Sequence, residues 1–160
     1  MKTVALDTGE HRSDFDGIAM VRCPHCNSLA WSSTLAPTAN SSFSPRRVTC
    51  TACAFTKEWC EKEISRARGE EAIDDYFHLP LFLQVRCAGH ILWAYNIEHL
   101  QYMQAWLSAD LRTRQRDAVN GWSNASFLSR LPRWMKLAKN RSTVVSGLQH
   151  LQSLAEKAGR

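Results

Sequence analysis

Two Cys-x-x-Cys pairs constrain this chain more than any other feature: "RCPHC" ending at Cys26 and "TCTAC" ending at Cys53, with 23 residues between Cys26 and Cys50. A tight two-residue turn aims both sulfurs of a pair at one point. Two such turns meet the need of a structural zinc ion for four soft ligands in a tetrahedron. The pattern therefore predicts one zinc ion held by Cys23, Cys26, Cys50 and Cys53. The separation exceeds the usual spacing of roughly 15–20 residues. The excess falls in "SSTLAPTANSSFSPRR" (Ser32–Arg47), too polar to bury a face and read as a loop. Each pair ends a β-compatible run, "IAMVRCPHC" or "RVTCTAC", and Pro24 stiffens the first turn. Trp31 and Trp59 are candidates to cover the metal or pack the sheet. Residues 17–60 are thus expected to form a small antiparallel zinc ribbon.

Other uses of four thiols fit less well. No apolar run approaches the roughly 18 residues of a membrane span, and "MKTVALDTGEHRSD" turns polar too early for a secretory segment. A cytoplasmic location is expected, and there paired cysteines serve as ligands rather than disulfides. A thioredoxin-like dithiol would open a helix in a βαβ setting, which neither pair does. His25 reads as an exposed knuckle residue, because four sulfurs already complete the ligand set.

The remaining chain predicts an α+β protein, in which the ribbon is followed by a β-hairpin and about three α-helices. Residues 1–16 read as a loose leader, 61–76 as a charged linker or short helix, and 77–160 as the hairpin and helical domain with a basic C-terminal segment. Leu81–Arg86 and His90–Tyr95 are strand-like and join across "CAG". Asn96 is placed to cap a helix whose apolar face is Ile97, Leu100, Met103, Leu107 and Leu111, fading in "RTRQRDAVNGW". Pro132 marks Leu131 as a break or a fresh helix start. Val144, Val145, Leu148, Leu151, Leu154 and Ala158 give the last helix its face.

Charge is distributed unevenly. The net charge is +5, yet residues 121–160 carry seven basic side chains against Glu156 alone. Arg130, Arg133, Lys136, Lys139 and Arg141 recur every two or three residues, and on one helix the first four would form a slowly drifting stripe beside Trp134. Such a stripe can hold a phosphate backbone while tryptophan stacks on a base. It can equally be a solvated outer face with Leu131, Trp134, Met135 and Leu137 packed inward.

Catalysis finds little support. Cys87 and His90 lie at Cys-x-x-His spacing in "CAGH", and a second metal site there would need Cys60, His78 or His99 as further ligands. As nucleophile and base the pair lacks an orienting group, and neither a Gly-rich phosphate loop nor a serine elbow is present. A site closed by four thiolates leaves no room for substrate. The expectation is a non-enzyme with neither a membrane nor a small-molecule substrate as partner.

"RCPHC", "RVTCTAC" and "TKEW", then "LPLFLQVRCAGHILWAYNIEHLQYMQAWLSADLR" and "SRLPRWMKLAKNR", resemble a group of small bacterial proteins described as containing a transcription-factor-IIB-type zinc ribbon. Some of that group are labelled after the primosomal replication-restart helicase. The resemblance spans about Val21 to Leu151 and implies the zinc site and a shared layout. The helicase label does not carry over, since no Walker motif is present. The functional expectation is a nucleic-acid-binding adaptor, contacting DNA or RNA through the basic C-terminal face. The alternative is a protein-binding module, such as an adaptor or the immunity partner of a bacterial toxin.

Overall fold

The computed structural model describes residues 1–35, 43–60, 64 and 71–159. Most of the expected charged linker, and the centre of the expected polar loop, lie outside the described residues. Among the described residues the architecture is mixed α+β, with two antiparallel sheets, one parallel strand pair and three α-helices.

Strand β1 (Val4–Asp7) comes first. A four-stranded antiparallel meander follows, built from β2 (Ile18–Arg22), β3 (Leu29–Thr34), β4 (Arg46–Cys50) and β5 (Thr56–Trp59). In β4 the side chains alternate between buried and exposed, with Arg46, Val48 and Cys50 inward. This is the period of a half-buried strand. An inward arginine needs compensation. The Arg46 guanidinium donates to the carbonyls of Asp16 (2.5 Å) and Gly17 (3.3 Å) and lies over the Tyr76 ring. Trp59 is buried edge-on against that same Tyr76, whereas Trp31 stays exposed.

The predicted hairpin consists of β6 (Leu83–Cys87) and β7 (His90–Ala94), paired from Leu83↔Ala94 to Cys87↔His90. Its two-residue turn, Ala88-Gly89, takes φ of +51° and +80°. Two positive φ values match the turn to the twist of the strands. Helix α1 (Ile97–Ser108) starts at the predicted cap: the Asn96 Oδ1 accepts the His99 N–H at 2.9 Å. The Asn96 amide also donates to the carbonyls of Phe15 (2.8 Å) and Ile18 (2.7 Å), tying α1 to the start of the meander.

Three expectations give way here. Helix α1 ends at Ser108, so Leu111 is not on its face but begins strand β8 (Leu111–Arg114). Ala109 is extended, and the Arg141 guanidinium donates to the carbonyls of both Ser108 and Ala109 at 2.9 Å. The helix end is thereby capped from a distant part of the chain. Second, the leader is not loose, because β1 pairs in parallel with β8 from Val4↔Leu111 to Asp7↔Arg114. Buried Asp7 anchors it, accepting from Ser126 Oγ (2.5 Å) and the Gly9 N–H (3.0 Å).

Third, the basic segment is not one helix. Arg130 precedes Pro132, α2 spans only Arg133–Lys136, Leu137 is extended, and a 3₁₀ turn covers Ala138–Asn140. Pro132 lacks an N–H, so a helix can start there but not run through. Helix α3 (Arg141–Ala158) then buries Val144, Leu148, Leu151 and Ala155. It packs on the hairpin and on α1 around Gly147, where a Cβ would meet Leu92 Cδ2 at 2.9 Å.

Two buried clusters result. One joins the hairpin with α1 and α3, through Leu83, Leu92, Leu100, Met103, Leu107, Leu148 and Leu151. The other mixes meander residues Val21, Ala30 and Val48 with Leu81 and Tyr95. Backbone bonds fasten the same seam, with Met20 N–H to Tyr95 O at 2.7 Å and Phe82 N–H to Met20 O at 2.9 Å. The meander and the hairpin therefore share a core. None of the helices among the described residues is long and apolar enough to cross a membrane.

Candidate metal centre

The two cysteine turns are built to one plan. In the first, Cys23 N–H donates to Ser28 O (2.8 Å) and Asn27 adopts φ +60°. In the second, Cys50 N–H donates to Phe55 O (2.8 Å) and Ala54 adopts φ +57°. A left-handed residue four places after the first cysteine folds each turn back on its own start. Asparagine accepts that conformation readily, but alanine does so at a cost. The register of β3 and β4 places Ala30 opposite Cys50 and brings the two turns to the same end of the sheet.

The four sulfurs lie within 4.8 Å of one another. Cys23 Sγ to Cys53 Sγ is 3.5 Å, and Cys26 Sγ to Cys50 Sγ is 3.6 Å. A tetrahedron of Zn–S bonds of about 2.3 Å has edges of about 3.8 Å, so the donor set fits a four-thiolate metal site. The pairs are too far apart to be disulfides, and all six cysteines of the chain are free. Cys23 and Cys50 are buried whereas Cys26 and Cys53 are exposed, so the site sits at the edge of the sheet. The backbone N–H of His25 donates to Cys23 Sγ at 3.4 Å, and its ring packs on Phe55 at 4.6 Å. That contact supports the turns.

Without a cation, four thiols this close cannot all ionise. Hydrogen bonds from Ser28 pull Cys26 down to about 6. The Phe55 backbone favours the Cys53 thiolate, yet burial and the neighbouring cysteines together push Cys53 up to about 12. A divalent cation removes this conflict, since it holds all four sulfurs as thiolates.

The second cysteine–histidine pair is not brought into a cluster. Among the described residues the one group of three or more potential metal ligands is the four-cysteine set. The buried Cys87 thiol faces Thr143 O at 3.6 Å, and burial raises its pKa. His90 lies flat on Trp134, ring centres 4.7 Å apart. His99 is fully buried among Phe15, Trp93, Tyr95 and Phe127, and its Nδ1 accepts the Tyr95 N–H at 3.1 Å. Desolvation lowers its pKa to about 3, so it is neutral.

The candidate nucleic-acid residues divide into two groups. Arg130, Arg133, Lys136 and Lys139 are exposed. Among the described residues, no ion pair or side-chain hydrogen bond engages Arg130, Arg133 or Lys139. Lys136 Nζ donates to Ser129 O at 3.0 Å. Arg141 is different: it caps α1 and lies 3.5 Å from Asp110, so its charge serves the fold. Comparison with family models, with curated proteins and with solved structures finds no match to this chain.

Proposed function

We propose that the chain is a non-enzymatic zinc-ribbon protein of the cytoplasm that contacts nucleic acid through its basic C-terminal segment. The observation that carries the zinc reading is the convergence of the four sulfurs within 4.8 Å. Zinc suits such a site because it accepts a tetrahedron of thiolates without redox chemistry, and its binding energy supplements a small core.

The nucleic-acid reading is supported by Arg130, Arg133, Lys136 and Lys139, which are exposed in a stretch with no acidic residue between Asp117 and Glu156. Their irregular path suits point contacts to phosphates more than a helix laid in a groove. The test is retention on short DNA and RNA at two salt concentrations, with Arg133→Glu and Lys139→Glu as variants. Retention that falls steeply with salt, with the salt slope reduced by about 1 for each contact removed, supports it. Absence of retention at low salt refutes it.

A protein partner is the second reading. It is favoured by Val119 (91% exposed) and Trp122 (67% exposed), which stand out beside the tight Asp117–Gly121 turn. The aromatic helix α1 lends it no help, because Leu100, Met103, Trp106 and Leu107 are buried in the core. Stoichiometric co-purification of a protein, lost with Trp122→Ser, would favour this reading over nucleic acid.

A further inference from the structure

A cavity of about 550 Å³ opens beside the basic segment, and its composition is selective. Three half-buried aromatic side chains, Trp93, Phe127 and Trp134, line it together with Arg12, Arg130 and His11. Among the described residues, none of those lining it is acidic. Buried Leu92 and Met135 add apolar surface to its lining. Apolar and aromatic lining with a few cationic groups is the composition of a pocket for a planar, negatively charged ligand.

The aromatic groups are held in place. Trp134 carries the His90 ring parallel on one face, at 4.7 Å and 5°. The Arg12 guanidinium sits 5.5 Å over Trp93 and 5.3 Å over Tyr95. Arg12 is itself fixed by an ion pair to Asp75 at 3.2 Å and by a hydrogen bond to the Tyr95 hydroxyl. Its charge is therefore largely spent. Arg130 is exposed and unengaged at the same cavity, which leaves it to take a ligand's anionic group.

We infer that this cavity binds a nucleotide unit, an unstacked aromatic base against the tryptophan and phenylalanine rings with its phosphate on Arg130. The unit comes either from a single strand or from a free nucleoside monophosphate. The single-strand form rests on the nucleic-acid reading above; the free-nucleotide form does not. A paired base is stacked inside its helix and cannot enter, so duplex should be discriminated against.

The experiment measures affinities of the full metal-loaded chain for three probes: a ten-nucleotide single strand, the duplex of the same sequence, and nucleoside monophosphates. The variants are Trp134→Leu, Trp93→Leu and Arg130→Glu, each first shown to keep the wild-type melting temperature. Arg130→Glu serves as the safe variant, since its side chain is exposed. The inference predicts single strand bound about 10-fold or more tighter than duplex. Each tryptophan change should cost about 10-fold on single strand and leave duplex unmoved, in line with base stacking on aromatic rings. An abasic strand should bind no better than duplex. Binding of monophosphates but of neither polymer would support the cavity while removing the nucleic-acid function. Equal binding of single strand and duplex, unaffected by the tryptophan changes, would overturn the cavity inference and leave the nucleic-acid function standing. No binding of any probe would overturn both.

Discussion

Ala54 carries backbone strain that its counterpart in the other cysteine turn avoids. Both positions are left-handed, but the first turn uses asparagine. Ala54→Gly should therefore stabilise the metal-loaded chain by about 0.5–1 kcal/mol, read as a shift in the denaturant midpoint. His99 makes a second prediction, because its folded pKa of about 3 lies well below the ordinary value of 6.5. The unfolded chain takes up that proton first, so stability is complete above pH 6.5 and is lost as the pH falls toward 3. Between those values the wild type should lose about 1 kcal/mol per pH unit more than His99→Asn, measured as unfolding free energy against pH. The clustering of the four cysteines was legible in the sequence because its chemistry is local, two residues between the sulfurs of each pair. His99 was not. Its ring is buried by Phe15, Tyr95 and Phe127, which come from three separate parts of the chain.

At the level of elements, Asn96 performs two tasks with one side chain. Asn96→Asp keeps the oxygen that caps α1 but removes both donors to Phe15 O and Ile18 O. A loss of about 2–3 kcal/mol is expected, because a carboxylate oxygen would face the two carbonyl oxygens where a donor stood, measured by chemical unfolding; an unchanged midpoint would show that the amide bonds carry little. Gly147→Ala tests the approach of α3 to the hairpin. Alanine improves helix propensity, but its Cβ would press on Leu92 at 2.9 Å, so a net loss of about 1 kcal/mol is expected. The hairpin, the α1 cap and the face of α3 were readable because each depends on nearest neighbours in sequence. The β1–β8 pair was not, since Val4 and Leu111 are brought together only by the folded chain. The end of α1 was missed as well, since no local Gly or Pro marks it; Arg112 donates to Leu107 O, and Arg141 reaches Ser108 O and Ala109 O from a distant part of the chain. The break at Pro132 was legible, because proline chemistry is local, but the end of α2 at Lys136, where Leu137 turns extended and parts Lys139 from the stripe, was not.

For the whole molecule, the seam between meander and hairpin ties the four-cysteine site to the fold. Met20 and Val21 of β2 bond or pack against Tyr95 and Leu81, and Cys23 and Cys50 belong to that same buried cluster. Chelation should therefore loosen more than the cysteine turns: amide protection should fall across β2 and around Tyr95, while α3, in the other cluster, keeps more of its own. The zinc site is the central claim and is open to a direct measurement. Elemental analysis of the chain purified without added metal should find one zinc per chain, and none in the Cys26→Ser, Cys53→Ser double variant. A folded wild-type chain without metal, or a double variant that retains one zinc, would contradict the account.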